Sequence, residues 1–152
     1  MNHNRKIVGI IPARYASSRF PGKPLAKIRK KPMIQWVYEA SADVFDYLVI
    51  ATDDVRIMDA AKRFKANVIL TSSDHTSGTE RCLEVVEKLK TDKGLEFDYV
   101  INIQGDEPLL KKEQLNELKQ CLIKNETGIA TLAKPFSKDE DPEDPNCVKV
   151  VL

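Results

Sequence analysis

Short apolar runs bounded by turn residues alternate with helix-period stripes along this chain, and that alternation restricts the fold more than any other feature. "KIVGII" is nearly continuous in apolar residues and stops at Pro12, the pattern of a strand covered on both faces. "YLVIATDD", "NVIL" and "FDYVINIQGDEP" repeat that form. Between them, Ile34, Val37, Tyr38 and Ala42 share one helical face, and Val55, Met58, Ala61 and Phe64 share another. Over 79–89, Cys82, Val85, Val86 and Leu89 face inward on a helix that Ser77 or Thr76 would cap. Leu115, Leu118 and Leu122 form a fourth stripe, and "GIATLAK" and "CVKVVL" read as two later strands. Strands alternating with helices imply βαβ units, right-handed crossovers and a mostly parallel sheet, so the expected class is α/β.

A chain of 152 residues fits one domain, expected over 1–152. Its last residues, "VKVVL", read as a strand with no cap, turn or tail after it, which predicts a portion of a longer protein. The acidic stretch "SKDEDPEDPN" is expected to be an exposed loop, and the basic run from Lys27 to Lys31 a solvated face. Lysine and arginine number 24 against 23 aspartate and glutamate, a net charge of +1, so any anion site must be local and bulk charge points to neither nucleic acid nor membrane. Cys82, Cys121 and Cys147 are odd in number and far apart, which argues against a disulfide framework or a zinc site and suits a reducing cytoplasm. The first apolar stretch is broken by Pro12 and Arg14 and reads as a strand, not a signal peptide; no run approaches the ~20 residues of a membrane span.

Ligands of open parallel sheets sit beyond the carboxyl ends of the strands, so the polar residues there carry the chemistry. After the first strand comes "ARYASSRFPGKPL", which fits neither familiar phosphate loop. Ser17 stands where a Walker loop needs its first glycine, Pro24 follows Lys23, and Gly9 is alone within its strand. What remains is Arg14, Arg19 and Lys23 with Ser17 and Ser18, a set able to wrap a polyphosphate, with Pro21 and Pro24 limiting the entropy lost on binding. A solvated basic turn is the alternative. Asp106 in "QGDEP" follows a buried strand and could hold a hard cation such as magnesium, or merely cap a turn. "SDHTSGTER" offers hydroxyls, a glycine and the planar fork of Arg81, or else a helix cap with polar neighbours. His3 and His75 are the only histidines; no Ser-His-Asp triad or histidine metal set is available, and His75 reads as a hydrogen-bonding loop residue.

Taken together, "IIPARYASSRFPGKPLAKIRKKPMIQWVYEAS", "VIATDD", "SSDHTSGTER" and "NIQGDEP" resemble the 3-deoxy-manno-octulosonate cytidylyltransferases, in order and in spacing, from Ile7 to Leu152. Acylneuraminate cytidylyltransferases have a similar opening loop but differ at the later motifs. The resemblance implies a Rossmann-like three-layer fold of the nucleotide-diphospho-sugar transferase type. It implies transfer of CMP from CTP to 3-deoxy-manno-octulosonate (Kdo), with magnesium, for lipopolysaccharide biosynthesis. By the same resemblance Arg14 and Lys23 would grip the triphosphate, with Arg19 beside them. Asp106 would be a catalytic metal ligand, Gln104 and Arg81 would lie near the sugar acid, and Ser77 and Gly78 would border the cytosine. Members of the family run to about 250 residues, and their later part supplies a second metal-binding aspartate and a dimerisation region. This chain alone is therefore expected to bind CTP weakly and not to turn over, with a homodimer expected for the full-length protein. The alternatives are a CTP-binding module without catalysis and an acylneuraminate-type enzyme.

Overall fold

The computed structural model describes residues 5–17, 20–125, 127–145 and 147–150. Four parallel strands form the sheet: β1 (Ile7–Ala13), β4 (Tyr47–Thr52), β5 (Val68–Leu70) and β6 (Tyr99–Asn102), in the order β5-β4-β1-β6. Four helices follow or separate them: α1 (Met33–Ser41), α2 (Val55–Arg63), α3 (Gly78–Lys93) and α4 (Lys112–Asn125). The class is α/β, as the alternation of runs and stripes implied.

Side chains alternate across a strand, and here the alternation sorts the core into two clusters. Ile7, Ile11 and Ala13 of β1 join Leu48, Ile50 and Ile101 on one face, under Ile34 and Val37 of α1, Ile57 and Ala61 of α2, and Leu115 and Leu122 of α4. Val8 and Ile10 join Val49 and Ala51 on the other face, under Cys82, Val85 and Leu89 of α3. Helices therefore cover both faces, which explains why the central strands read as unbroken apolar runs. A fully buried isoleucine or leucine contributes roughly 1.5–3 kcal/mol, so β1 and β4 form the most strongly held part of the molecule. Gly9 shares the first face, where a Cβ would fall 2.6 Å from the Phe45 ring; the aromatic ring lies in the space the glycine leaves.

Pro12 does not end β1, as the sequence implied, but lies within it. Ile10 accepts at its carbonyl from Ile103 N–H (2.8 Å), so Pro12, two residues further on, faces the same side. Its ladder with β6 stops at the Ile10–Asn102 pair, and the missing N–H thus falls past the end of that strand.

Other expectations need correction. Val55 is 57% exposed and Met58 only half-buried; Ile57, four residues before the expected Ala61, shares its inward face, and Phe64 packs against the same cluster as expected. The run from Lys27 to Lys31 does expose Lys27, Arg29 and Lys30 as expected, but it is also a hairpin of β2 (Lys27–Ile28) and β3 (Lys31–Pro32), turned by Arg29 and Lys30 at φ 47° and 74°. Trp36 Nε1 donates to the Ile28 carbonyl (2.9 Å) and anchors it. "GIATLAK" and the described part of "CVKVVL" form no strand: Ile129 and Val148 are 90% and 96% exposed. A short apolar run becomes a strand only beside a hydrogen-bonding neighbour, and neither run pairs with any described strand. Among the described residues no helix is long and apolar enough to cross a membrane.

Candidate functional site

At the carboxyl ends of β1 and β6 and the N-terminus of α3 lies a cleft of about 510 Å3. Arg14, Ser17, Phe20 and Lys23 line it from the β1 loop, His75, Ser77, Gly78 and Arg81 from the segment into α3, and Gln104, Gly105 and Asp106 from the turn after β6. Of the eight residues given a binding or catalytic role by the resemblance, seven border this one space: Arg14, Lys23, Ser77, Gly78, Arg81, Gln104 and Asp106. The eighth, Arg19, and its neighbour Ser18 lie outside the described residues.

Local backbone geometry makes the approach possible. Gly22 has φ 71°, a conformation that L side chains seldom adopt, and leads into a 3-10 turn over Lys23–Leu25. Gly105 packs so tightly that a Cβ would fall 3.1 Å from the Pro12 carbonyl oxygen, and a Cβ on Gly78 would fall 3.1 Å from the Pro12 ring. Both glycines bring backbone close to the end of β1. At those two positions main chain can border the cleft without an intervening side chain, as a phosphate-bearing ligand requires.

Lys23 and Asp106, 83 residues apart in sequence, meet across the cleft with Nζ 2.5 Å from Oδ2. Both side chains are substantially exposed, 39% and 50%, so the pair stabilises the fold by no more than ~1 kcal/mol. Such a pair is readily exchanged for a ligand that offers an anion to one partner and a cation to the other. Arg14 is exposed and makes no hydrogen bond or ion pair with any described residue. Among the described residues Asp106 is the one carboxylate lining the cleft, and no group of three or more metal-ligating side chains occurs among them. A single exposed carboxylate fits magnesium, which takes one or two protein carboxylates and completes its shell with water and phosphate oxygens.

The opposite wall is built differently. Ser77 caps α3 in a reciprocal box: Ser77 Oγ accepts from Glu80 N–H (3.2 Å), while Glu80 Oε2 accepts from the N–H groups of Thr76 (2.8 Å) and Ser77 (3.2 Å). Those N–H groups hold the Glu80 carboxyl below the usual carboxylate range, the Thr76 bond contributing most. His75 Nε2 lies 2.5 Å from Glu84 Oε2, which also accepts from Ser72 N–H, while Lys88 pairs with the other oxygen at 2.7 Å. Burial works against ionising Glu84, but the bonds from Lys88, Ser72 and His75 outweigh it and bring its pKa down to about 2. His75 is thus the hydrogen-bonding loop residue its sequence context implied.

Arg81 departs from the expectation of a free fork for a sugar carboxylate. It is 3% exposed; one terminal nitrogen donates to Thr71 Oγ1 and the Ser72 carbonyl, and the other to Asp53 Oδ2 at 3.0 Å. Desolvation explains the difference, since a buried guanidinium must satisfy its donors within the protein. Asp53, Glu84 and Phe20 were missed as members of this region. "TDD" after the second strand was a signal for Asp53; nothing in the local sequence marks Glu84.

Comparison with known proteins places this geometry among relatives. Residues 8–152 match the cytidylyltransferase family. The 3-deoxy-manno-octulosonate cytidylyltransferase of Parabacteroides distasonis is 52% identical over 151 residues, covering 97% of this chain and 59% of its own length. The mitochondrial protein of that name from Arabidopsis thaliana is 48% identical, with 97% of this chain and 50% of its own covered. A solved CMP:2-keto-3-deoxy-manno-octonic acid synthetase complexed with CTP superposes with a TM-score of 0.74 at 44% identity, over 80% of this chain and 48% of the other. The chain thus spans roughly half to three fifths of the length of these relatives.

Proposed function

Because the chain belongs to the cytidylyltransferase family, we propose that its cleft binds CTP and that the whole protein transfers CMP to 3-deoxy-D-manno-octulosonate, releasing pyrophosphate, for lipopolysaccharide biosynthesis. The observation that carries this reading is the meeting of Lys23 and Asp106 across the cleft, with Arg14, unpaired among the described residues, lining the same space. The names of relatives about half identical to this chain support the choice of nucleotide and sugar acid.

In this reading Arg14 and Lys23 bind the triphosphate, with Arg19 contributing from the same loop. Lys23 leaves Asp106 for phosphate oxygens as the nucleotide enters. Ser77 and Gly78 border the cytosine from the end of α3, whose positive dipole end favours an anionic ligand. Gln104 orients the sugar acid, and Arg81 braces the wall beside it. The anomeric hydroxyl of Kdo attacks the α-phosphorus in line, the bond to the β-phosphate oxygen breaks, and Arg14 and Lys23 offset the charge growing on pyrophosphate. Asp106 would hold magnesium, which when bound supplies charge neutralisation at phosphate and acidifies the attacking hydroxyl. The whole protein is proposed to act as a homodimer in the cytoplasm, a compartment that suits three free cysteines, of which buried Cys82 has its thiol pushed up to about 11 by desolvation.

A pyrophosphate-release assay with CTP, magnesium and Kdo, run on this chain and on a version extended to the relatives' length, tests the proposal. Release by the extended version and none with UTP or an acylneuraminate supports it; preference for the acylneuraminate would overturn the substrate assignment. A second reading, a CTP-binding module without catalysis, draws on the chain's coverage of only 48–59% of two of these relatives. It is favoured if calorimetry finds CTP bound while neither version releases pyrophosphate.

A further inference from the structure

Arg14 and Ser17 border the cleft, and Tyr15 between them is not among its lining residues. Its main-chain carbonyl accepts from Gly22 N–H at 2.8 Å, closing the loop onto itself just before Lys23. Its ring packs against Gly22 so closely that a Cβ there would lie 2.9 Å from Tyr15 Cε2. The guanidinium carbon of Arg56, on α2, stands 3.3 Å from the centroid of the same ring.

Arg56 is itself held in place. Its Nε and a terminal nitrogen donate to the two carboxylate oxygens of Asp54, at 2.9 and 2.6 Å, a fork-to-fork pair that fixes the guanidinium plane. Asp54 is the N-cap of α2, accepting from Arg56 N–H (2.9 Å), and its own N–H donates to Oγ1 of Thr52 at the buried end of β4. A continuous set of contacts thus runs from the sheet through Asp54, Arg56 and Tyr15 to Gly22.

Resting on the CTP reading above, we infer that Arg56 is a positioning residue for the nucleotide: by stacking on Tyr15 it holds the Gly22–Tyr15 closure and so the place of Lys23. It does not touch the cleft. A planar guanidinium suits this role because it can pair with a carboxylate in its plane while its face covers an aromatic ring.

The test compares Arg56→Met, Tyr15→Leu and Tyr15→Phe in the 152-residue chain, by hydrogen exchange of the Gly22 amide and by calorimetric CTP affinity. Arg56→Met and Tyr15→Leu are expected to speed exchange at Gly22 and to weaken CTP binding about two- to fivefold, and because Tyr15 also packs on the core, only Arg56→Met is expected to leave the thermal midpoint unchanged. Tyr15→Phe, which keeps the ring, is expected to match the parent in both. Unchanged exchange at Gly22 in Arg56→Met overturns the inference, as does faster exchange with unchanged CTP affinity. Absence of CTP binding in the parent chain would count against the nucleotide reading, and the exchange measurement would still decide whether Arg56 holds the loop.

Discussion

The two walls of the cleft use charge in opposite ways. On the β1 loop, Arg14 is without a described partner and Lys23 meets Asp106 only in an exposed pair, so both cations can be transferred to a ligand. On the wall made by α3 and the segment before it, Arg81 is committed to Asp53, Thr71 and the Ser72 carbonyl, Glu80 to main-chain N–H groups, and His75 to Glu84. The lesson is that a charged residue lining a pocket is available to a ligand only where solvent, and not protein, satisfies it. Both walls carry cations in sequence; burial separates those left open to a ligand from those tied up within the protein.

The contrast can be broken most forcefully at the buried pair. Asp53→Ala should destabilise the fold by about 3–5 kcal/mol, because it leaves the Arg81 guanidinium, 3% exposed, without its counter-charge. Urea denaturation reads this directly; a loss below ~1 kcal/mol would mean that the α3 wall is no more tightly braced than the β1 loop. Lys23→Ala should have the opposite signature. In a turnover-competent version, kcat/KM for CTP should fall by about 10²–10³, while stability changes by less than ~1 kcal/mol. An unchanged kcat/KM would remove Lys23 from the phosphate site.

Ser77→Ala should cost about 1 kcal/mol of stability through loss of the α3 cap, measurable as a lowered urea midpoint. The smallest effect concerns acid. Glu84 has its pKa lowered from 4.5 to about 2, so its contribution is fully present above the ordinary value and is lost as pH falls from about 4.5 towards 2. Glu84→Gln should therefore be less stable than the parent at neutral pH and lose less stability on acidification. Parallel pH curves for the two would show that the Glu84 network does not hold the wall.

Much of this molecule was legible beforehand. Continuous apolar runs and period-3.6 stripes located four strands and four helices, because β1 and β4 are covered on both faces and each helix has one apolar side. The same reasoning failed where a segment's state depends on a neighbour. β2 and β3 are two residues each and pair through a turn with Arg29 and Lys30 at positive φ, which no glycine or asparagine announced. The apolar runs near Ile129 and Val148 have the composition of strands and no ladder to join. In α2, Ile57 takes the inward place expected of Val55 and Met58, beside the correctly read Ala61.

The candidate site divides along the same line. Sequence by itself determined the α/β class, the motifs at the strand ends and the residue types able to hold a triphosphate and a cation, since these follow from local patterning and from functional groups. Only the tertiary structure decided that Lys23 faces Asp106, that Arg81 is a brace, and that Tyr15 rests under Arg56. Each of those depends on which groups separated by tens of residues share a volume, and on whether water or protein satisfies their charge there.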